Sequence, residues 1–147
     1  MKIKLTSKVR GGYTKVFEAF DKNLFLYLLP AGAKLIQFGG SKKGDRVEIL
    51  FVFPLKSTWL SEIVEDGKGQ DYFYFIDIGK KLPFGLKSWH HRHVVRKEDE
   101  DHSIIEDHME FSTGNALIDI VFYPGLYLAF LPRVWQYKRY FNKIKSK

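Results

Sequence analysis

One stretch of this chain, Asn115 to Lys145, carries helical spacing over many turns, while most of what precedes it alternates polar and apolar residues. Phe130, Val134, Tyr137, Phe141 and Ile144 recur at steps of four and three, which draws one stripe down a helix. Ser112, Thr113 and Asn115 are N-cap types, and Asp119 sits near the positive end of the helix dipole. Lys138, Arg139, Lys143 and Lys145 lie near the negative end. Pro124 and Pro132 each remove a backbone donor and crowd the preceding turn, so a kink or a break is expected at each. One long apolar helix after many strands implies a curved sheet that grips the helix.

The strands follow from alternation. Ile3, Leu5, Ser7 and Val9 share one parity and Lys2, Lys4, Thr6 and Lys8 the other, a half-buried strand. Tyr13–Phe20 and Asn23–Leu29 then turn helical, a pair too short to stand without the sheet. Period two resumes at Lys34–Phe38 and Arg46–Phe53, the second with Val47, Ile49, Phe51 and Phe53 on one face and Pro54 closing it. Ser41–Asp45 reads as the turn between them, with Gly44 supplying positive φ. Further strands are expected at Thr58–Glu65, Tyr72–Ile78, Leu86–Arg96 and Ser103–Phe111, with turns at Asp66–Gly69 and Lys97–Asp101. Short connections make the sheet antiparallel.

The 147 residues suit one domain spanning 1–147, long enough to bury roughly 68–70% of its unfolded surface without a staple. There is no cysteine, which excludes disulfides, thiol nucleophiles and zinc–thiolate sites and fits a reducing compartment. The opening MKIKLTSKV lacks the apolar core of a signal peptide, so a cytoplasmic location is expected. The formal charge of +7 suits nucleic acid, anionic membrane or anionic ligands, and equally a solvated basic surface. Ala116–Pro132 is shorter than the ~20 residues of a membrane span, and a buried core helix is preferred over a membrane-surface helix. Thirteen Phe and eight Tyr are compatible with a lined cavity.

The most specific piece is Trp89-His90-His91-Arg92-His93, followed one hairpin later by Ile105-Glu106-Asp107-His108-Met109-Glu110-Phe111. It resembles the W-x-H-x-H and I-x-D-x-apolar-x-aromatic pattern of a bacterial ligand-binding branch of the SRPBCC superfamily, the START, birch-pollen-allergen-like and polyketide-cyclase-like domains. That resemblance covers nearly the whole chain. It implies an α+β helix-grip fold: a seven-stranded curved antiparallel sheet wrapped around a long, Pro-kinked C-terminal helix, two short helices after the first strand, and a hydrophobic cavity between. Members bind lipids, sterols, polyketides and hormones, and some are cyclases or hydratases, so the resemblance leaves the ligand open. Pro124, Gly125 and Pro132 depart from the usual continuous helix.

Parity also assigns the candidate site. Trp89, His91, His93 and Val95 share one face, as do Ile105, Asp107, Met109 and Phe111. The opposite faces set Arg92 and Arg96 against Glu106 and Glu110, the look of a solvated hairpin. His91, His93 and Asp107 therefore point inward with the apolar residues, where polar groups need partners. They are read as core histidines anchored by Asp107, as the polar end of a ligand site, or as metal-binding or acid–base residues. His-x-His on a strand puts both rings on one side, as in a zinc pair, but the third ligand would have to be Asp107. No metal or cofactor is therefore expected. His90, His102 and His108 are assigned to the surface. No nucleophile elbow or phosphate loop is present; Gly39–Gly44 is a hairpin. The aromatics read as core-facing, so nucleic acid is not the expected partner.

These observations lead to a domain binding a small apolar or amphipathic ligand between sheet and helix. Trp89, His91, His93, Asp107, Met109 and Phe111 would form the wall and Tyr123, Tyr127 and Phe130 the roof. A cyclase- or hydratase-type enzyme using His91 or His93 with Asp107 is the alternative. Lipid carriage at an anionic membrane surface, led by the basic C-terminal segment, is the third reading.

Overall fold

The computed structural model describes residues 1–53 and 55–145. Pro54, expected to close a strand, and Lys147 of the basic tail lie outside the described residues. Strand β1 (Lys2–Arg10) buries Ile3, Leu5, Ser7 and Val9, as its alternation requires. Helices α1 (Tyr13–Glu18) and α2 (Lys22–Leu28) follow, and Asp21 caps α2 by accepting hydrogen bonds from the amides of Asn23 and Leu24. Then come β2 (Ala33–Phe38), β3 (Arg46–Phe51), β4 (Ser57–Gly69), β5 (Tyr72–Lys81), β6 (Ser88–Lys97) and β7 (His102–Ser112). All pair antiparallel in one seven-stranded, curled sheet of order β1-β7-β6-β5-β4-β3-β2. The chain ends in α3 (Ala116–Phe130) and α4 (Arg133–Lys145).

Several local expectations are corrected. β4 runs straight through Asp66–Gly69, which was expected to turn. Gly67 and Gly69 stand opposite Tyr74 and Tyr72, and a Cβ on Gly69 would come within 2.1 Å of the Tyr72 ring. These glycines make room for aromatic rings across the ladder; the turn is the next pair, Gln70-Asp71, with Asp71 at φ 60. β3 ends at Phe51 rather than at Phe53, which lies beyond the strand and is 72% exposed. Of the two arginines set against glutamates, Arg96 does bond Glu106 at 2.8 Å, whereas Arg92 lies over the Tyr74 ring.

The expected long helix is divided in two. Pro132 breaks it, and its carbonyl accepts from the amides of Trp135 and Gln136, so the proline opens α4 where its missing N–H costs nothing. Pro124 lies inside α3 without ending it. Asn115 is the N-cap of α3, and Asp119 accepts from the Thr113 amide and the Thr113 and Ser112 hydroxyls, tying the helix start to β7. Along α4 the stripe holds through Tyr137 and Phe141, which pack with Val9, Val16, Leu24, Val95 and Ile105; Ile144 is half exposed.

α3 is not the expected buried core helix. Asp119 is its only buried residue, while Leu117, Ile120, Val121 and Leu128 are exposed. Phe122, Leu126 and Phe130, on its inner side, pack on a second cluster of Ile3, Leu5, Trp59, Trp89, Met109 and Phe111. A 100° step per residue separates these two apolar sides of one helix.

Candidate functional site

Sheet register builds the site. Across β5, β6 and β7, Asp77 stands opposite His91, and His93 opposite Asp107, one pleat apart on the same face. The hydrogen bonds run along the diagonals: His91 Nε2 lies 2.9 Å from Asp107 Oδ1 and His93 Nε2 3.2 Å from Asp77 Oδ2. His91 Nδ1 is 3.6 Å from Asp77 Oδ2. His93 Nδ1 is 3.1 Å from the same Asp107 Oδ1, a poorly aligned contact through which both hydrogen bonding and charge act. The two rings stack with centroids 3.7 Å apart, and Phe75 covers the far face of His93 at 4.2 Å. All four polar residues are buried.

Burial opposes ionisation of Asp107 and Asp77, but hydrogen bonds and charge from the two histidines outweigh it and hold both carboxyls below their usual range. Burial, then the neighbouring His93, pushes His91 down to about 4 against the pull of Asp107. Burial also acts to lower His93, yet Asp107 and Asp77 together raise it above its ordinary value. Burial thus biases His91 toward its neutral form, while the two carboxylates bias His93 toward its charged form. At about 4, His91 lies below the range of an ideal general base near neutral pH.

A cavity of about 240 Å³ lies over this cluster, between the sheet, α2 and α3. Its wall is mostly apolar, with Leu24, Val47, Trp59, Phe75, Trp89 and Leu126 among the lining residues; exposed Asp21 and Phe84 bring it to the surface. Of the expected site residues, Trp89, His91, His93 and Phe130 border it. Asp107, Met109 and Phe111 share their face but belong to the layer beyond the lining, Asp107 behind the two histidines. Tyr123 and Tyr127 stack on each other and do not line it; Phe122, Leu126 and Ala129 take the roof instead, because the inner side of α3 falls one residue off the tyrosines.

Asp77, Tyr137 and Arg133 also border the cavity and were not singled out from sequence. No parity signal singles out Asp77, because β5 is apolar on both of its faces. The Tyr137 hydroxyl is buried without a well-aligned hydrogen bond, and burial, then the charge of Asp107, raises it far above the ordinary phenol range. Arg133 acts on that hydroxyl by charge and through a poorly aligned hydrogen-bonding contact, while its guanidinium lies over the Phe130 ring. His90 is exposed, His102 pairs with Asp99, and half-buried His108 pairs with Glu106, as surface residues.

No family model matches the chain, and no curated protein matches its sequence. Solved structures do match in shape. Norcoclaurine synthase of Thalictrum flavum, as a point mutant with a transition-state analogue, aligns at a TM-score of 0.63 and 14% identity over 91% of each chain. The protein Ms6760 of Mycobacterium smegmatis aligns at 0.62 and 15% identity, over 92% of this chain and 87% of that one. The seven-stranded curled antiparallel sheet with short helices and a C-terminal helical segment matches that architecture. This is the helix-grip fold. The helix-grip neighbours also include XoxI of Bacillus cereus, at 0.60 and 15% identity over 98% of this chain and 97% of that one. At these identities the likeness carries the helix-grip architecture, and the chemistry rests on this chain's own residues.

Proposed function

We propose that this protein binds a small, mainly apolar molecule in the cavity between sheet, α2 and α3, with one polar group of the ligand directed at Tyr137 and Arg133. The observation that carries the reading is the buried Tyr137 hydroxyl, which makes no well-aligned hydrogen bond, at a mainly apolar cavity of about 240 Å³. An engineered cavity of about 150 Å³ holds benzene, so this volume suits a somewhat larger ring system or a short chain. Burying apolar ligand area gains about 25 cal/mol per Å², and one satisfied polar group fixes orientation. Norcoclaurine synthase, solved with dopamine and hydroxybenzaldehyde, and the di-domain ARO/CYC BexL share the architecture, which makes small aromatic molecules a reasonable first class to screen. The test is native mass spectrometry of freshly purified protein, then titration with anilinonaphthalene sulfonate. A co-purified small molecule, or saturable probe uptake abolished in a folded Leu126→Trp variant, is expected. Uptake unchanged by filling the cavity would overturn the reading.

A second reading, exchange of that ligand at an anionic membrane surface, is favoured by the outer side of α3. Leu117 and Val121 are each 75% exposed and Leu128 63%, and the one charge in α3, Asp119, is buried. The stretch Ala116–Ile144, which Pro132 divides into α3 and α4, is long and apolar enough by composition to cross a membrane, and 6% of its most apolar window is buried. Antiparallel order puts the 52–56 and 82–87 loops at the same end of the sheet as the start of α3. They add exposed Phe53, Leu55 and Phe84 with Lys56 and Lys87, and no acid. The acidic Glu98–Asp101 turn is at the opposite end. Apolar exposure ringed by cations suits anionic lipid. Sedimentation with phosphatidylserine vesicles should fall in the triple variant Leu117→Ser, Val121→Ser, Leu128→Ser; equal binding by that variant would sink this reading.

A further inference from the structure

The geometry points to a divalent transition-metal site made by Asp77, His91 and His93, with its open position toward the cavity. Asp77 Oδ2 lies 3.2 Å from His93 Nε2 and 3.6 Å from His91 Nδ1, and one ligand atom from each residue lies within 4.8 Å of the others. A tetrahedral ion with bonds of about 2.0–2.1 Å spaces its ligands by about 3.3 Å, which the two Asp77 contacts already approach, while the two histidine nitrogens must draw together to close on it. The three residues offer two imidazoles and one carboxylate, a set that suits zinc or ferrous iron and leaves coordination free for a small molecule.

Asp107 supplies the second argument. The nitrogens left over after such ligation are His91 Nε2 and His93 Nδ1, and they lie 2.9 and 3.1 Å from the same Asp107 Oδ1. Metal-bound histidines give their other N–H to a carboxylate, which fixes tautomer and ring orientation. The division follows the cavity: Asp77, His91 and His93 border it and Asp107 stands behind. This replaces Asp107 by Asp77 as the carboxylate ligand that the sequence pattern suggested. Charge agrees, because two buried carboxylates concentrate negative charge in a poorly solvating interior, and a divalent ion offsets it. The proposal does not rest on ligand uptake, so each can fail without the other.

The test uses the full chain, stripped with chelator, reloaded with zinc at micromolar concentration and desalted. Elemental analysis should read about one zinc per chain, with a raised melting temperature. His91→Ala and Asp77→Asn should lose that zinc, His90→Ala should keep it, and Asp107→Asn should keep the stoichiometry while weakening affinity about 10–100-fold. Circular dichroism checks that each variant folds. Should the ligand variants unfold, cobalt loading of the unaltered protein decides: a visible spectrum of tetrahedral nitrogen and oxygen coordination supports the site. Trace zinc in the unaltered protein, zinc retained by folded His91→Ala, or zinc lost in His90→Ala would each overturn it.

Discussion

Asp77 faces His91 across the β5–β6 ladder, and its carboxylate lies 3.6 Å from that ring's Nδ1 while bonding His93 Nε2 at 3.2 Å. One side chain thereby joins two histidines that alternate along the next strand. Asp107 does the same from β7, so the four residues close a ring of alternating acid and imidazole across three strands. Such a cluster is sensitive to loss of any member, because each removal leaves a buried partner uncompensated.

Asp107→Asn removes the charge that both histidines share, with nearly the same volume. A destabilisation of about 1–3 kcal/mol is expected, since buried hydrogen-bonding groups lose their partner. Urea unfolding should show a lower midpoint with an unchanged slope. An unaltered midpoint would mean that the cluster contributes nothing to the fold.

Tyr137→Phe acts in the opposite sense on the ligand-free protein. Its hydroxyl is buried without a well-aligned hydrogen bond, so deleting it should raise stability by about 1 kcal/mol. The same change should weaken binding of a polar-headed aromatic probe about 2–13-fold, the loss of one hydrogen bond. Stability and affinity moving together would contradict the assignment of Tyr137 to the ligand.

Glu106 gives a pH dependence with a definite sign. Burial works against its ionisation, but hydrogen bonds from Arg96, His108 and Lys4 and the Lys4 charge lower it to about 2. A depressed carboxylate contributes stability above its unfolded value near 4.5, and that contribution disappears as pH falls through the folded value. The unaltered protein should therefore exceed Glu106→Gln in stability at neutral pH and converge with it toward pH 2 in acid titrations followed by circular dichroism. A gap that widens on acidification would refute the pairing.

Truncation after Thr113 removes α3 and α4 together. Tyr137 and Phe141 then leave Val9, Leu24, Val95 and Ile105 without cover, and the remainder should show no cooperative thermal transition. A soluble, two-state fragment ending at Thr113 would mean that the sheet and short helices carry the fold alone.

Asp71→Gly tests the corrected turn. Asp71 holds φ 60 at the tip of the β4–β5 hairpin, where glycine has no steric penalty. A gain of up to about 1 kcal/mol is expected by thermal unfolding; a loss would show that the aspartate side chain supports the turn.

Alternation in the sequence was enough to place β1, β6 and β7 and to send His91, His93 and Asp107 inward, because one face of each strand is charged and the other apolar. It did not reveal Asp77. β5 is apolar at both parities, with Tyr72, Tyr74, Ile76 and Ile78 opposite Phe73 and Phe75, so no pattern says which face is core. Glycines misled at Gly67 and Gly69 because a turn glycine and a glycine beneath an aromatic ring look alike until the opposing strand is known.

The sequence by itself determined the architecture, since period-two strands followed by one long helical stripe have few ways to bury their apolar faces. It determined too that two histidines and an aspartate would share the inner face. Only the tertiary structure decided the rest. Cross-strand register brings Asp77 to both histidines, and the rotation of α3 chooses Phe122 and Leu126 over Tyr123 and Tyr127 as roof. That rotation also leaves the outer side of α3 bare. Periodicity reports which residues share a face; which face meets which neighbour depends on contacts between segments far apart in the chain.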